Sequence, residues 1–207
     1  MKHRDDGTIE SISEFDQTTG KEIKKTIFQS DGQTIDSIIK IEYDQVTNQK
    51  VKETHYQDNG EKINYINELD IETGGLIRQN EYRYRNDGTI ENISEVDTNT
   101  NQVVKVTYYW QNGTTIDCVV EIVKGTNIKR ETYYQDNGEK INYINELDIE
   151  TGGLIRQNEY RYRNDGTIEA ILEFKNYSFI NKLVKETKFQ FDGTTHLLTK
   201  LTVLPSS

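Results

Sequence analysis

The sequence predicts an all-β protein, an elongated, twisted, single-layer antiparallel meander of tandem β-hairpin repeats. Three observations lead to this prediction. A glycine preceded by Asp or Asn recurs every 25 to 28 residues. A second turn motif, of the type Asp-x-x-Thr-Gly, falls about midway between these glycines. The only proline, Pro205, lies near the C-terminus, so none interrupts the strands between the turns.

The recurring glycines mark the hairpin turns. Asp-Gly or Asn-Gly between Tyr-rich and Ile-rich runs is the strongest short-range signal of a β-hairpin. We therefore predict one repeat domain of about eight units over residues 1–207, with residues 203–207 as a C-terminal tail. The turn glycines are Gly7, Gly32, Gly60, Gly88, Gly113, Gly138, Gly166 and Gly193.

An aromatic residue precedes most of these glycines by four positions, and an isoleucine follows two or three positions after, as Tyr84 and Ile90 do around Gly88. Where the isoleucine lies two positions after the glycine, a three-residue loop ending in a glycine bulge would pair it with the aromatic residue. Where it lies three positions after, a two-residue primed turn would do the same. We call the face of this pair the ladder face. Period-two alternation predicts that Val96 shares the ladder face and that Ile93 lies on the opposite face.

The midway turns have their own chemistry. In "ELDIETGG" the Asp side chain is expected to accept hydrogen bonds from the turn's backbone N–H groups, and Gly or Asn is expected to take the left-handed position. A helix is rejected because "IEAILEF" and "IDCVVEI" alternate with period two. A sheet curled into a barrel or spiral is the alternative architecture.

One long segment occurs twice. Residues 53–91 and 131–169 are identical except that His55 in the first copy is replaced by Tyr133 in the second. Adding units lengthens a surface without disturbing any chemistry, so the duplication fits a surface-presenting protein. It fits a recent gene expansion without functional consequence equally well.

Composition limits the classes of partner. Hydrophobic residues make up 33% of the chain, mean hydropathy is −0.83, and the net charge is −10. An acidic chain is a poor ligand for phosphate backbones and anionic membranes, so we expect no nucleic acid. No apolar run is long enough to cross a bilayer, so we expect no membrane insertion and a soluble chain, either cytoplasmic or a mature secreted form. Cys118 lies in an apolar run and is expected to be a small buried hydrophobe.

Motifs for catalysis are absent from the sequence. It contains no nucleophile elbow, zinc-binding His motif, phosphate-binding glycine loop or Cys/His cluster. Glu68, Asp70 and Glu72 crowd one turn and could attract calcium, but their spacing matches no dedicated calcium loop, so a turn-capping role is favoured. We therefore expect no enzyme, no cofactor, no metal and no catalytic residue.

The remaining signal is a set of aromatic and basic residues predicted to lie on the face opposite the ladder. Trp110 stands out because other units have Gln or Arg at its position, so the repeat does not require a tryptophan there. The alternative is that Arg83 forms an ion pair with Glu91, and Arg161 with Glu169, across their hairpins. The candidate protein-binding residues are Arg83, Arg85, Tyr108, Trp110, Tyr133, Arg161 and Arg163.

The repeats resemble a known type. "TIDSIIKIEYDQVTNQKVKET" and "INYINELDIETGGLIRQ" look like the units of a family of uncharacterised tandem-repeat proteins from phytoplasmas. The Tyr-Asp-x-x-Thr-Gly turn is similar to the YD repeats of polymorphic toxins and teneurins, and more distantly to MORN-type hairpin repeats. The resemblance implies β-hairpin arrays used as shells or binding surfaces, with no catalytic residues to transfer.

Two functional hypotheses follow. The first is a non-enzymatic repeat protein that presents an extended β-sheet surface to a partner protein, which leaves a secreted or host-interacting role open. The second is a self-assembling structural or surface scaffold, with chains associating through their terminal strand edges.

Overall fold

The computed structural model describes residues 1–177, 180–190 and 195–196, and almost all of this part consists of β-strands and short turns. A single 3₁₀ turn occurs at Asp58–Gly60. The strands are β1 (Lys2–His3), β2 (Ile9–Phe15), β3 (Glu22–Phe28), β4 (Ile35–Tyr43), β5 (Lys50–Gln57), β6 (Lys62–Leu69), β7 (Leu76–Tyr84), β8 (Ile90–Asp97), β9 (Gln102–Tyr109), β10 (Ile116–Val123), β11 (Ile128–Tyr134), β12 (Ile141–Asp148), β13 (Leu154–Tyr162), β14 (Ile168–Tyr177), β15 (Ile180–Phe189) and β16 (Thr195–His196).

Strand order in the sheet follows strand order in the chain, and within each of two groups, β1 to β8 and β9 to β16, the neighbours pair antiparallel. The chain divides into two compact units, Met1–Val104 and Lys105–Ser207, each of which is a meander of hairpins. In the described ranges no pairing closes the sheet into a barrel, so the barrel alternative is wrong, and the spiral stays a prediction. The prediction of an all-β, single-layer antiparallel meander is confirmed. The number of domains stays a prediction, and the last hairpin glycine, Gly193, lies outside the described residues.

The predicted register is confirmed in the hairpins on both sides of the division. Each aromatic residue that precedes a turn pairs with the isoleucine that follows it, so side chains of these two types meet across the strands. The pairs are Phe28 with Ile35, Tyr56 with Ile63, Tyr84 with Ile90, Tyr109 with Ile116, Tyr134 with Ile141 and Tyr162 with Ile168.

The two predicted types of hairpin turn have different outcomes. The three-residue loop is confirmed after β7, where the Arg85 N–H donates to the Thr89 carbonyl at 2.9 Å and the Gly88 N–H donates to the Arg85 carbonyl at 3.0 Å. Gly88 has φ of 87°, the left-handed conformation that a three-residue hairpin loop requires.

The two-residue primed turn is wrong after β3, β9 and β11, whereas after β5 the residues Asn59 and Gly60 both take the positive φ of such a turn, 60° and 89°. After β3, the Gln29 N–H donates to the Thr34 carbonyl at 2.8 Å, which closes a four-residue loop. The Asp31 carboxylate accepts hydrogen bonds from the N–H groups of Gln33 at 2.9 Å and Thr34 at 2.8 Å. The loop must wrap around this carboxylate, and a two-residue turn has no room for it.

A β-bulge corrects the predicted faces. Glu91 is one extra residue in the strand after the turn, and an extra residue exchanges the faces of all that follow. Val96 pairs with Gln79, which lies an odd number of residues from Tyr84, so Val96 lies on the face opposite the ladder. Ile93, an odd number of residues before Val96, lies on the ladder face. Both predicted assignments were therefore reversed.

The midway turns match their prediction. The Oδ1 atom of Asp70 accepts hydrogen bonds from the Glu72 N–H at 3.1 Å, the Thr73 N–H at 2.7 Å and the Thr73 hydroxyl at 2.9 Å. These bonds, those from Thr73 first, lower the pKa of Asp70 and support the turn-capping interpretation over a calcium site. The left-handed positions of such turns are Gly20, Asn48, Gly74, Asn101 and Gly152.

Burial is shallow throughout the described part of the chain, where no side chain is less than 2% exposed. Cohesion therefore comes from cross-strand pairs and turn hydrogen bonds between neighbouring strands, with little contribution from a central core. The buried hydrophobic residues are Val96, Cys118, Ala170 and Leu172.

Candidate protein-binding face

A row of side chains crosses four adjacent strands of the unit Lys105–Ser207. Tyr108 pairs with Cys118, Cys118 with Tyr133, and Tyr133 with Tyr143. Directly paired residues point to the same side of an antiparallel sheet, so these four side chains share one face. We call it the tyrosine face. It is opposite the ladder face because Tyr133 is adjacent in sequence to the ladder residue Tyr134.

Two rings of this row are fixed against each other. Tyr133 and Tyr143 stack with centroids 4.5 Å apart and an interplanar angle of 23°. The Tyr133 hydroxyl donates to the Glu131 Oε2 atom at 3.2 Å, and Glu131 in turn forms an ion pair with Lys129 at 2.9 Å. Burial, followed by the influence of Cys118 and Glu131, raises the pKa of Tyr133, so its hydroxyl stays protonated.

Cys118 lies between two of the tyrosines and is 5% exposed. Burial, with smaller contributions from Glu131 and Asp117, raises the pKa of its thiol to about 11. A thiol with this pKa is protonated at neutral pH and is a poor nucleophile. The expectation that Cys118 is a small buried hydrophobe is confirmed.

An open groove of about 600 Å³ lies beside these rings. Trp110, 41% exposed, follows β9 at one side of the groove, and Tyr108, 39% exposed, is the neighbouring aromatic residue on the tyrosine face. We call this feature the Trp110 groove. It is lined by Trp110, Asp117, Tyr133, Tyr134, Gln135, Asp136, Asn137, Asn142 and Tyr143.

Two of the candidate arginines stabilise turns. Arg163 donates from one guanidinium nitrogen to the Ile168 carbonyl at 2.8 Å and from another to the Phe189 carbonyl. Arg85 donates likewise to the Ile90 carbonyl at 2.7 Å. Both side chains are half-buried, and Arg163 is not among the residues that line the Trp110 groove.

The other two arginines are exposed. Neither Arg83 nor Arg161 has a carboxylate within ion-pairing distance in the described residues, so the predicted pairs with Glu91 and Glu169 do not form. Arg161 lies two residues after Glu159, which pairs with Tyr143, so Arg161 is on the tyrosine face. Arg83 belongs to the unit Met1–Val104.

Sequence reasoning missed Asp117, Asn142 and Tyr143. Asp117 and Asn142 are the extra residues of two β-bulges, each directly after a ladder isoleucine. The signal for them was present, because a polar residue follows the ladder isoleucine in all seven units that have one, as Asp36 follows Ile35. Tyr143 was missed because regular alternation, without the bulge, does not place it opposite Tyr133.

The duplicated segment carries a different row in the unit Met1–Val104. There, Lys25 pairs with Ile39, Ile39 with His55, and His55 with Tyr65. His55 and Tyr65 stack at 4.1 Å, as their counterparts do. In the hairpin before the first copy, Gln29 occupies the position that Trp110 occupies in the hairpin before the second copy. The strands that complete the Trp110 groove, β9 and β10, lie outside the duplicated segments, so the first copy has no equivalent aromatic surface.

These observations define a tandem-repeat antiparallel β-sheet protein with an aromatic groove on one face. The chain belongs to the family described as "Protein of unknown function (DUF2963)", which matches residues 3–41, 39–81, 84–133 and 134–179. No curated protein matches the chain. In the described residues, no helix has the length and apolar character needed to cross a bilayer.

Solved structures that match the chain include TcdB2-TccC3 without its hypervariable C-terminal region, at 14% identity and a TM-score of 0.38, over 87% of this chain and 10% of that one. TcdB2-TccC3 matches at 13% identity and a TM-score of 0.33, over 86% of this chain and 10% of that one. A porin-like protein from Bacteroides uniformis matches at 9% identity and a TM-score of 0.28, over 80% of this chain and 82% of that one. The chain thus spans about a tenth of the length of the first two proteins.

Proposed function

We propose that this chain is a non-enzymatic repeat protein that binds another protein through its tyrosine face. The observation that carries the proposal is two exposed aromatic residues, Trp110 in the lining of the Trp110 groove and Tyr108 on the tyrosine face. Aromatic side chains bury a large area with few rotatable bonds, so they dominate the energetics of protein interfaces. Neither residue belongs to the repeated pattern, so a structural requirement of the repeat does not account for them.

A non-enzymatic role is supported by the state of the only thiol. Cys118 is buried and its pKa is raised to about 11, so it does not supply a thiolate. The aspartates of the turns, such as Asp70, accept hydrogen bonds from their own loops and serve as caps.

The arginines divide into two groups within this proposal. Arg83 and Arg161 are exposed and free of ion pairs in the described residues, so they are available to a partner. Arg85 and Arg163 hold turn carbonyls, so we expect their replacement to act mainly on stability.

Self-assembly through the terminal strands has less support. The N-terminal edge strand β1 comprises two residues, Lys2 and His3, and short, charged edges pair poorly with other chains. The C-terminal run "HLLTKLTVLPSS" lies, apart from His196 in β16, outside the described residues.

The test uses a photo-crosslinking amino acid in place of Trp110, with the same replacement at Gln29 as a matched control. Proteins of the source organism that crosslink from position 110 are identified by mass spectrometry, purified and titrated against wild type, Trp110→Ala, Tyr108→Ala and Gln29→Ala. We expect Trp110→Ala to weaken binding at least about tenfold, and Gln29→Ala to leave it unchanged.

Equal affinity of wild type and the Trp110→Ala/Tyr108→Ala double variant for every purified partner would refute the proposal. Circular dichroism of each variant verifies that the sheet is intact.

A further inference from the structure

We propose that the Trp110 groove receives an arginine or lysine side chain from a basic segment of the partner protein. This inference rests on the proposed function and specifies the chemistry of its central contact. Three properties of the groove carry it: the charge of its lining, the field around its rings, and the way this chain already uses tyrosine.

The lining combines aromatic rings with negative charge. Asp117 and Asp136 contribute carboxylates, and none of the lining residues is Lys or Arg. The side chains of Gln135, Asn137 and Asn142 add amide oxygens that can accept hydrogen bonds from a cationic donor. The whole chain has a net charge of −10, so a basic segment is also attracted at long range.

The negative field acts directly on the ring row. Glu131 and Asp117 both contribute to the raised pKa values of Cys118 and Tyr143, after burial as the main cause. Two carboxylates therefore influence the same part of the tyrosine face from two different strands, β11 and β10. A cation placed over these rings would relieve this concentration of negative charge.

Within the described ranges, the chain itself pairs a lysine with a tyrosine ring four times. The distance from the lysine nitrogen to the ring centroid ranges from 4.6 to 5.4 Å, which is within the range of cation–π attraction. No such lysine or arginine covers Tyr133 or Tyr143 in the described part of the chain. The internal pairs are Lys21 with Tyr43, Lys40 with Tyr56, Lys62 with Tyr84 and Lys140 with Tyr162.

Aromatic rings with amides also suit a neutral sugar. The carboxylates decide between the two ligands, because an aspartate beside an aromatic ring gains charge attraction only from a cation. Arg161 lies on the same face but outside the lining, so it tests the charge of the ligand. Its positive charge should slightly weaken the binding of a cation and strengthen the binding of an anion.

The experiment titrates the fluorescence of Trp110, the only tryptophan, in the full-length protein. The ligands are a short Gly/Arg peptide, the same peptide with citrulline for arginine, and a neutral oligosaccharide. Citrulline keeps the size and planarity of arginine but removes its charge. We expect saturable binding of the arginine peptide, at least about tenfold weaker binding of the citrulline peptide, and no binding of the oligosaccharide.

Matched variants separate the groove from general charge attraction. Asp117→Asn and Asp36→Asn change the net charge equally, but Asp36 occupies the corresponding position in the other unit. We expect Asp117→Asn to weaken arginine-peptide binding about fivefold and Asp36→Asn to leave it unchanged. Tyr133→His, which restores the residue of the first copy, should also weaken it. Arg161→Ala should leave binding unchanged or strengthen it.

Equal binding of the citrulline peptide, equal effects of the two aspartate variants, weaker binding in Arg161→Ala, or saturable binding of the oligosaccharide would each overturn the inference. The crosslinking experiment distinguishes this failure from that of the proposed function. If the partner peptide crosslinked at position 110 contains no Arg or Lys, the inference fails while the protein-binding proposal stands.

Discussion

At the scale of single residues, aspartates and arginines replace a core as the organisers of this fold. Asp31 accepts hydrogen bonds from the Thr34 hydroxyl, first in its effect, and from two backbone N–H groups, and these bonds lower its pKa from 3.8 to about 2. Asn112 makes the same two backbone contacts in the loop after β9, with N–H groups at 3.0 Å. The geometry of the loop therefore needs a hydrogen-bond acceptor, and the negative charge of Asp31 strengthens the hydrogen bonds that it accepts.

The charge of Asp31 makes the loop sensitive to acid. Because the folded-state pKa is lower than the usual value, its stabilisation is complete above about pH 4 and is lost as the pH falls towards 2. We expect Asp31→Asn, which keeps the acceptor, to melt at a lower temperature than wild type at neutral pH. Thermal melts followed by circular dichroism from about pH 6 to about pH 2 should show this difference shrink and disappear. A constant difference across this range would contradict the explanation.

Arg163 gives a second prediction at this scale. Its guanidinium bridges the carbonyls of Ile168 and Phe189, a geometry that the compact lysine ammonium does not reproduce. We expect Arg163→Lys to lower the free energy of unfolding by about 1–2 kcal/mol. The control is Arg161→Lys, two residues away and exposed, which should change it by less than about 0.5 kcal/mol. Urea denaturation of both variants provides the measurement, and equal costs would argue against the bridge.

At the scale of elements, the turns fix the hairpins through backbone conformation. The midway turn before β13 places Gly152 at φ of 67°, and no atom lies within 4 Å of the position its Cβ would take. The corresponding positions hold Asn48 at 62° and Asn101 at 56°. Space is therefore available for a side chain, and only the left-handed conformation restricts the choice.

Substitutions at Gly152 should follow this conformational rule. We expect Gly152→Ala to lower the free energy of unfolding by about 1–2 kcal/mol and Gly152→Asn to cost less than half of that. Denaturant unfolding of the two variants and wild type gives the comparison. If alanine is tolerated as well as asparagine, the left-handed requirement is not what selects the residue.

The sequence predicted the turn chemistry and the aromatic–isoleucine register, because both depend on residues close together in the chain. It did not predict the faces of Val96 and Ile93, because the bulge at Glu91 depends on how two strands meet. The same effect hid Asp117 and Tyr143 from the candidate site. Sequence spacing also did not reveal that Arg85 and Arg163 donate to turn carbonyls, since Arg163 reaches Phe189, 26 residues away.

Identical sequence can also acquire different surroundings from its neighbours. In the second copy Glu146 contacts both Arg130 at 3.4 Å and Arg156 at 2.7 Å, and its side chain is 10% exposed. Its counterpart Glu68 faces Lys52, but Lys52 forms its ion pair with Glu42 instead. The side chain of Glu68 is 44% exposed. The residue directly before each copy, Lys52 or Arg130, decides the outcome, and a pattern within the copy cannot predict it.

At the scale of the whole molecule, each strand depends on the strands that precede and follow it. The second duplicated segment begins 78 residues after the first one begins. Deletion of the 78 residues 54–131 therefore joins Glu53 directly to Thr132. In the shortened chain, β4 meets a strand that differs from β5 only by tyrosine at the position of His55. Strands β13 and β14 keep their present neighbours, and β12 meets the hybrid strand as the identical strand β6 meets β5, so every remaining pairing is one that already exists or differs by this single side chain.

We expect this deletion variant to fold into a β-sheet that unfolds cooperatively, because stability in repeat arrays is a sum over neighbouring units. Far-ultraviolet circular dichroism and thermal melting provide the measurement. The variant lacks Tyr108, Trp110 and Asp117, so calorimetric titration should show no binding of the arginine peptide. A shortened chain that stays unfolded would show that distant strands contribute more than their neighbours do.

Agreement between strand order and chain order has a consequence for biosynthesis. As the polypeptide leaves the ribosome, every new strand finds its partner in the segment made just before it, so no early strand has to wait for a late one. The chain can therefore acquire its structure hairpin by hairpin during translation, and the edge that is temporarily open is covered by the next residues to emerge.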